Sequence, residues 1–98
     1  MKIKITIIKQ TIYKDLMDKY ELPLKVPCTL KVGQVFYTEG EMPTGFCDVA
    51  WETIKVFVDK LIKGENKFYG DWLKNPDSAI ISCNDGVRPM SFLIEKVN

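Results

Sequence analysis

The chain contains no histidine. That absence excludes the Ser-His and Cys-His couples of nucleophilic catalysis. It also excludes His-containing zinc sites and the two-His-one-carboxylate iron site. Any chemistry must draw on Cys, Asp, Glu, Lys, Tyr, Arg or the backbone. Cysteine is scarce too: Cys28, Cys47 and Cys83 are 3 in number, with no Cys-x-x-Cys among them. An odd set cannot pair completely within one chain, and the paired knuckles of structural zinc sites are missing. Neither charge dominates. With 14 Lys and Arg interspersed among 13 Asp and Glu, nothing forms the basic footprint of a nucleic-acid binder. No run approaches the ~18 apolar residues of a membrane span. Met1 to Lys9 alternates, so it lacks the unbroken apolar region of a signal peptide. The expected location is the cytoplasm, where thiols stay reduced.

What remains is the make-up of an ordinary globular chain, 46% hydrophobic and 28% charged over 98 residues. That length predicts a single domain, 1–98, with one modest core. Lys2 to Gln10 reads as a strand with Ile3, Ile5 and Ile7 on one face and Lys2, Lys4 and Thr6 on the other. Its lysines read as a solvated face that guards against edge pairing. Thr11 to Leu22 predicts about two helical turns with Leu16, Met17 and Tyr20 toward the core. Pro23 and Pro27 stop any continuation. Val32 to Thr38 predicts a short strand entered through Gly33, and Glu39 to Pro43 a loop.

The longest helical pattern runs from about Val49 to Lys63, with Asp48 as N-cap and Gly64 as the residue that ends it. Ala50, Ile54, Phe57 or Val58, Leu61 and Ile62 make its apolar stripe. Asn66 to Pro76 is an aromatic-rich loop. Ser78 to Cys83 and Val87 to Val97 predict a C-terminal hairpin, turned at Asn84-Asp85-Gly86 because Asp-Gly readily supplies positive φ. The economical solution is an α+β fold: a small antiparallel or mixed sheet, one long helix on one face, and the first strand beside the last.

Three constellations carry potential chemistry. Cys47 stands at the helix entrance, where the helix N-terminus favours a thiolate. Cys83 closes a strand, and Cys28 sits in an irregular stretch. Together the three read as buried packing groups, as a redox or nucleophilic thiol at Cys47, or as a soft-metal set completed by water, Asp48 or Asp85. Arg88 beside the Asp85-Gly86 turn reads as an anchor for a carboxylate or phosphate, or as the ion-pair partner of Asp48, Asp85 or Glu52. Phe46, Trp51, Phe68, Tyr69 and Trp72 would wall a pocket over the helix start, fill a satellite core, or form an oligomer interface.

The order Pro27-Cys28, Gly33-Gln34-Val35-Phe36, Pro43-Thr44-Gly45-Phe46-Cys47-Asp48-Val49-Ala50-Trp51 and Cys83-Asn84-Asp85-Gly86-Val87-Arg88-Pro89 spans nearly the whole chain. It resembles a family of small uncharacterised prokaryotic proteins of about this length, many from anaerobes. The chain departs from that pattern twice. Val49 stands where the family usually has a tryptophan, and Ser82 where it often has the first of two adjacent cysteines. The resemblance implies the fold and the site's location and supplies no activity.

The expected function is a binding or accessory protein with a cysteine-containing cleft at the N-terminus of the long helix. The expected cleft residues are Cys47, Asp48, Trp51, Cys83, Asp85 and Arg88, and the occupant a small molecule, a metal or a protein. A thiol-dependent redox protein or enzyme using Cys47 is the alternative. An interaction subunit without a small-molecule site is the third reading. The cofactor is left open.

Overall fold

Alternating Ile and Lys build β1 (Lys2–Gln10). It is followed by α1 (Lys14–Tyr20), β2 (Val35–Thr38), α2 (Asp48–Ile62), β3 (Ser78–Ser82) and β4 (Met90–Val97). The computed structural model describes residues 2–22 and 30–97. Pro23, Pro27 and Cys28, with the readings placed on them, lie outside the described residues. Among the described residues the strands form one antiparallel sheet in the order β2-β1-β4-β3, with the first strand beside the last as expected.

Cross-strand partners share a face, so the register fixes the core. Ile5 lies opposite Phe36 on one side and Ile94 on the other, and Ile7 lies opposite Phe92. Ile3, Ile5, Ile7, Phe92 and Ile94 are fully buried. They form the floor on which α2 lies, presenting Ala50, Ile54, Val58 and Leu61 at helical spacing. Each fully buried Ile, Val or Leu contributes about 1.5–3 kcal/mol by removal from water. Val58 takes the stripe position, while Phe57 is half-buried beside it and meets Phe68 edge-on at 5.5 Å.

The helix ends as its glycine predicts. Gly64 adopts φ +89, its N–H donates to the Leu61 carbonyl at 3.1 Å, and the Glu65 N–H reaches back to Lys60 O at 2.9 Å. This pair of bonds is the Schellman motif, which needs a left-handed residue after the cap. A Cβ at Gly64 would meet nothing within 4 Å, so the cost of adding one is conformational alone. Gly64→Ala is expected to lower stability by about 1 kcal/mol, measured by urea unfolding. An unchanged midpoint would mean that the chain can leave the helix another way.

Four expectations are corrected. Cys47, not Asp48, is the N-cap: its backbone is extended, its carbonyl accepts the Trp51 N–H at 2.9 Å, and its side chain makes no cap bond. The Pro43–Phe46 turn, with Gly45 at φ +82, delivers the chain one residue early. Asp48 instead occupies the first turn, where its charge still suits the helix dipole. In α1 no residue is buried, and Tyr20 is 70% exposed, because the short helix packs on none of the described strands. β1 is a central strand flanked by β2 and β4, so its lysines guard no edge. Finally, Gly86 is not among the left-handed glycines, and the β3–β4 ladder closes at Cys83 and Met90, just past Pro89, which has no N–H to give.

Candidate functional site

A β-bulge positions the site. The β1–β4 register slips between Ile7 and Lys9, which leaves Ile8 as an extra residue, 40% exposed. One inserted residue reverses which side chains face which side. Before the bulge the odd positions face α2. After it Gln10, opposite the buried Met90, faces that side. Beyond β1 the chain stays attached to the segment before β4, through Thr11 N–H to Pro89 O at 3.0 Å and Tyr13 N–H to Val87 O at 2.8 Å. Gln10 and Ile12 thereby reach one side of a cleft between this end of the sheet and the first turn of α2.

The cleft has a volume of about 480 Å³. Its exposed apolar side chains are Ile12 and Val49, with the half-buried Cys47 and Cys83 between them and the floor; Leu30, Ala50, Met90 and Phe92 pack beneath, each at most 4% exposed. Cys47 and Cys83 both lie on its wall, as free thiols. Cys83 arrives there because it continues the inward series of Ala79 and Ile81 in β3. Its N–H donates to Met90 O at 3.0 Å, and its Sγ accepts the Met90 N–H at 3.3 Å. Both contacts fix the thiol against the sheet.

One rim is polar, with a single cation shared between two carboxylates. The Asp85 Oδ1 accepts the N–H groups of Val87 at 2.8 Å and Arg88 at 3.0 Å, which makes the turn that positive φ at Gly86 was expected to make. The Arg88 guanidinium donates to both carboxylate oxygens of Glu21, at 2.8 and 3.4 Å, and lies 3.6 Å from Asp85. The hydrogen bond to Glu21 pushes Arg88 further above its already high range, against an opposing desolvation. Arg88 therefore pairs with Asp85, one of the partners considered from sequence, and with Glu21, which was not among them. Asp48 and Glu52 are not its partners; Glu52 pairs with Lys55 at 2.9 Å.

Burial pulls the Asp85 pKa up, but the N–H donors of Arg88 and Val87 and the Arg88 charge outweigh it. The carboxyl lies below its ordinary value of 3.8. With the folded pKa lowered, the folded chain holds fewer protons than the unfolded one in the window just below that value. The stabilisation is present above the unfolded pKa and is lost as pH falls through the folded one. Asp85→Asn keeps an oxygen acceptor and removes the charge. It is expected to flatten the dependence of stability on pH below about pH 4, read by urea unfolding at stepped pH. A slope identical to wild type would show that other carboxylates carry the acid sensitivity.

Of the residues singled out from sequence, Cys47, Cys83, Asp85 and Arg88 share this cleft, and Asp48 and Trp51 do not line it. Asp48 is exposed. Trp51 packs edge-on against Phe46 at 6.1 Å, and Phe46 in turn meets Phe36 at 5.0 Å and Phe92 at 5.5 Å. The aromatic set thus divides. Phe46 and Trp51 join the core under β2, and Phe68 sits with Phe57. The Tyr69 hydroxyl donates to Ile80 O at 2.9 Å, and Trp72 is 87% exposed. None of the five lines the cleft. Cys28 lies outside the described residues, and among those described no three His, Cys, Asp or Glu side chains form a metal-holding group.

Ser82 pairs with Ser91 and is exposed, so its side chain projects away from the face that carries Cys83. A cysteine at that position would not add a thiol to the cleft. A second hollow, about 510 Å³, is lined by Lys2, Tyr37, Glu39, Glu41 and Met42 among others. It is of similar size, but it is more open, is lined mainly by charged and polar side chains and holds no thiol, so the thiol chemistry belongs to the first cleft.

These features define a small α+β protein with a thiol-bearing cleft between the sheet and the start of its long helix. Comparison with family models, curated proteins and solved structures finds no match for the chain. What it binds must be read from the cleft itself. In the described structure no helix is long and apolar enough to cross a membrane.

Proposed function

We propose that this protein binds a small, neutral and largely apolar molecule in the cleft bearing Cys47 and Cys83. The observation that carries this reading is the cleft itself, about 480 Å³ of mainly apolar wall at the entrance of α2. Its size falls within the range of small-molecule sites. An anionic ligand would meet only the exposed Lys31 among the described cations of the wall, because Arg88 already holds Glu21 and Asp85. A phosphate or carboxylate would have to displace both from a guanidinium whose side chain is only 18% exposed. A metal would need a third donor beside the two thiols.

If the chain follows the family pattern it resembles, the usual tryptophan at position 49 would narrow the mouth, and Val49 would leave it open to a larger occupant. Val49 is 54% exposed, so a large side chain fits there without disturbing the core. Native mass spectrometry of protein purified without oxygen tests the reading. A bound organic mass is expected on the wild-type chain, and Val49→Trp is expected to reduce its occupancy by roughly tenfold, the effect of losing about 1.4 kcal/mol of affinity. Full retention by Val49→Trp would place the occupant elsewhere.

A second reading, thiol-dependent redox or nucleophilic chemistry at Cys47, is supported by the two free thiols on one wall. It predicts that iodoacetamide alkylates Cys47 in the native protein roughly tenfold faster than free cysteine at neutral pH. A rate at or below that of free cysteine removes it.

A further inference from the structure

The sheet has two faces, and among the described residues a helix covers only one. α2 packs on the face of Ile3, Ile5 and Ile7, and α1 packs on neither face among the described residues. The other face carries aligned rows fixed by the register. Val35, Thr6, Leu93 and Ile80 lie side by side across the four strands. The adjacent row is Tyr37, Lys4, Glu95 and Ser78, the last already buried, its hydroxyl donating to Asn75 O at 2.7 Å. Val35 and Ile80 are each 43% exposed and Tyr37 is 53% exposed. Among the described residues neither Lys4 nor Glu95 takes part in an ion pair, although they are cross-strand neighbours.

We propose that this open face is covered by a second copy of the same chain. The two central strands are β1 and β4, with β2 and β3 outside them and level with each other from Lys4 to Thr6. A two-fold axis along the line between β1 and β4, parallel to the strands and just outside the face, lays β1 on the partner's β4 and β2 on its β3. Residues at the same height then meet. Lys4 falls opposite Glu95 of the partner subunit, and Glu95 opposite Lys4 of the partner subunit. Thr6 falls opposite Leu93 of the partner subunit, and Val35 opposite Ile80 of the partner subunit. Val35 meets the partner's Ile80 and Lys4 meets the partner's Glu95, each twice, while Lys2 falls opposite the partner's Val97 without a counter-charge. The repeated pairings are the self-complementarity that a two-fold interface requires. An axis running across the strands would instead set the Leu93 row on itself and leave Lys4 over the bulge without a counter-charge.

The size of the face sets the strength. The strands are 9, 4, 8 and 5 residues long, at about 3.4 Å per residue and about 4.8 Å apart, which gives roughly 420 Å² per copy. The pair would bury about 850 Å², at the small end of weak, reversible associations. The dimer is expected to exchange with monomer, and concentrations from about 10 μM to 1 mM bracket so weak an association.

Sedimentation velocity of the full chain across that range reads it. A concentration-dependent dimer is expected for wild type. Lys4→Glu and Glu95→Lys, each alone, are expected to raise the dissociation constant by at least roughly tenfold. An equal mixture of the two single variants is expected to recover the dimer, because each supplies the charge that the other lacks. Ile80→Lys, an exposed change outside the core, is also expected to give monomer. A wild-type chain that stays monomeric overturns the proposal, including one whose face binds a different protein. So does a dimer that survives Ile80→Lys, or a mixture of folded charge variants that stays monomeric.

Discussion

Phe92→Ala is expected to cost about 3–5 kcal/mol of folding stability. Phe92 sits in β4, one of the two central strands, with no exposed surface, opposite Ile7 on one side and Ile81 on the other. The Phe46 ring lies 5.5 Å away, and the cleft opens beside it. Truncation removes the transfer energy of the ring and leaves a void that a central strand, held by ladders on both sides, cannot collapse to fill. A domain of this size holds only about 5–15 kcal/mol in total. The urea midpoint should therefore fall by roughly 2 M at a slope near 2 kcal/mol per M. A loss under about 1.5 kcal/mol would show that the walls are soft. The cleft would then not be a preformed site.

The second large effect concerns how the cleft's rim is fastened. Arg88 and Glu21 stand 67 residues apart in sequence and join in a two-bond ion pair, with side chains only 18% and 28% exposed. Glu21 is the C-cap of α1, and α1 touches no other described element. The pair is thus a main attachment of that helix. Arg88→Glu would gather three carboxylates in a partly dry place. It is expected to speed hydrogen exchange across α1 by roughly tenfold or more, since exchange there reports local opening. The double exchange Glu21→Arg with Arg88→Glu is expected to restore most of the protection. If the single reversal leaves α1 unchanged, the helix is held by other contacts. If the double exchange fails to restore protection, the geometry of the fork matters more than its charge.

The legible part of the fold is the part written in local periodicity. Period-two alternation located β1 to the residue. A 3.6-residue stripe and a terminal glycine located α2 to within one residue at each end. The pairing of first and last strands followed from matching their apolar faces. Events with no local signature were not legible. The bulge at Ile8 looks like one more isoleucine in an Ile-rich strand, yet it reverses the facing of everything after it and turns Gln10 and Ile12 into cleft residues. The Arg88–Glu21 pair has no spacing rule to reveal it. Of the site, Cys47, Cys83, Asp85 and Arg88 were nameable because a helix start and a tight turn mark them. Asp48 and Trp51 were assigned with them because they share the same helical turn, but a helix presents successive residues about 100° apart. Cys47 and Ala50, three apart, share the cleft side, and Trp51 lies against Phe46. Trp72 carries a core residue's hydrophobicity on an exposed loop, and nothing in the structure explains its position.

If the cleft between α2 and the sheet is a ready site for a small apolar molecule, an amide-resolved NMR titration of the intact chain with indole, a neutral apolar probe, will show it. Saturable shifts are expected at Cys47, Ala50, Cys83, Met90 and Phe92, and Val49→Trp is expected to remove them. Amides that do not respond, shifts that fall on the hollow around Tyr37 and Glu41, or shifts that Val49→Trp leaves unchanged would rule the site out.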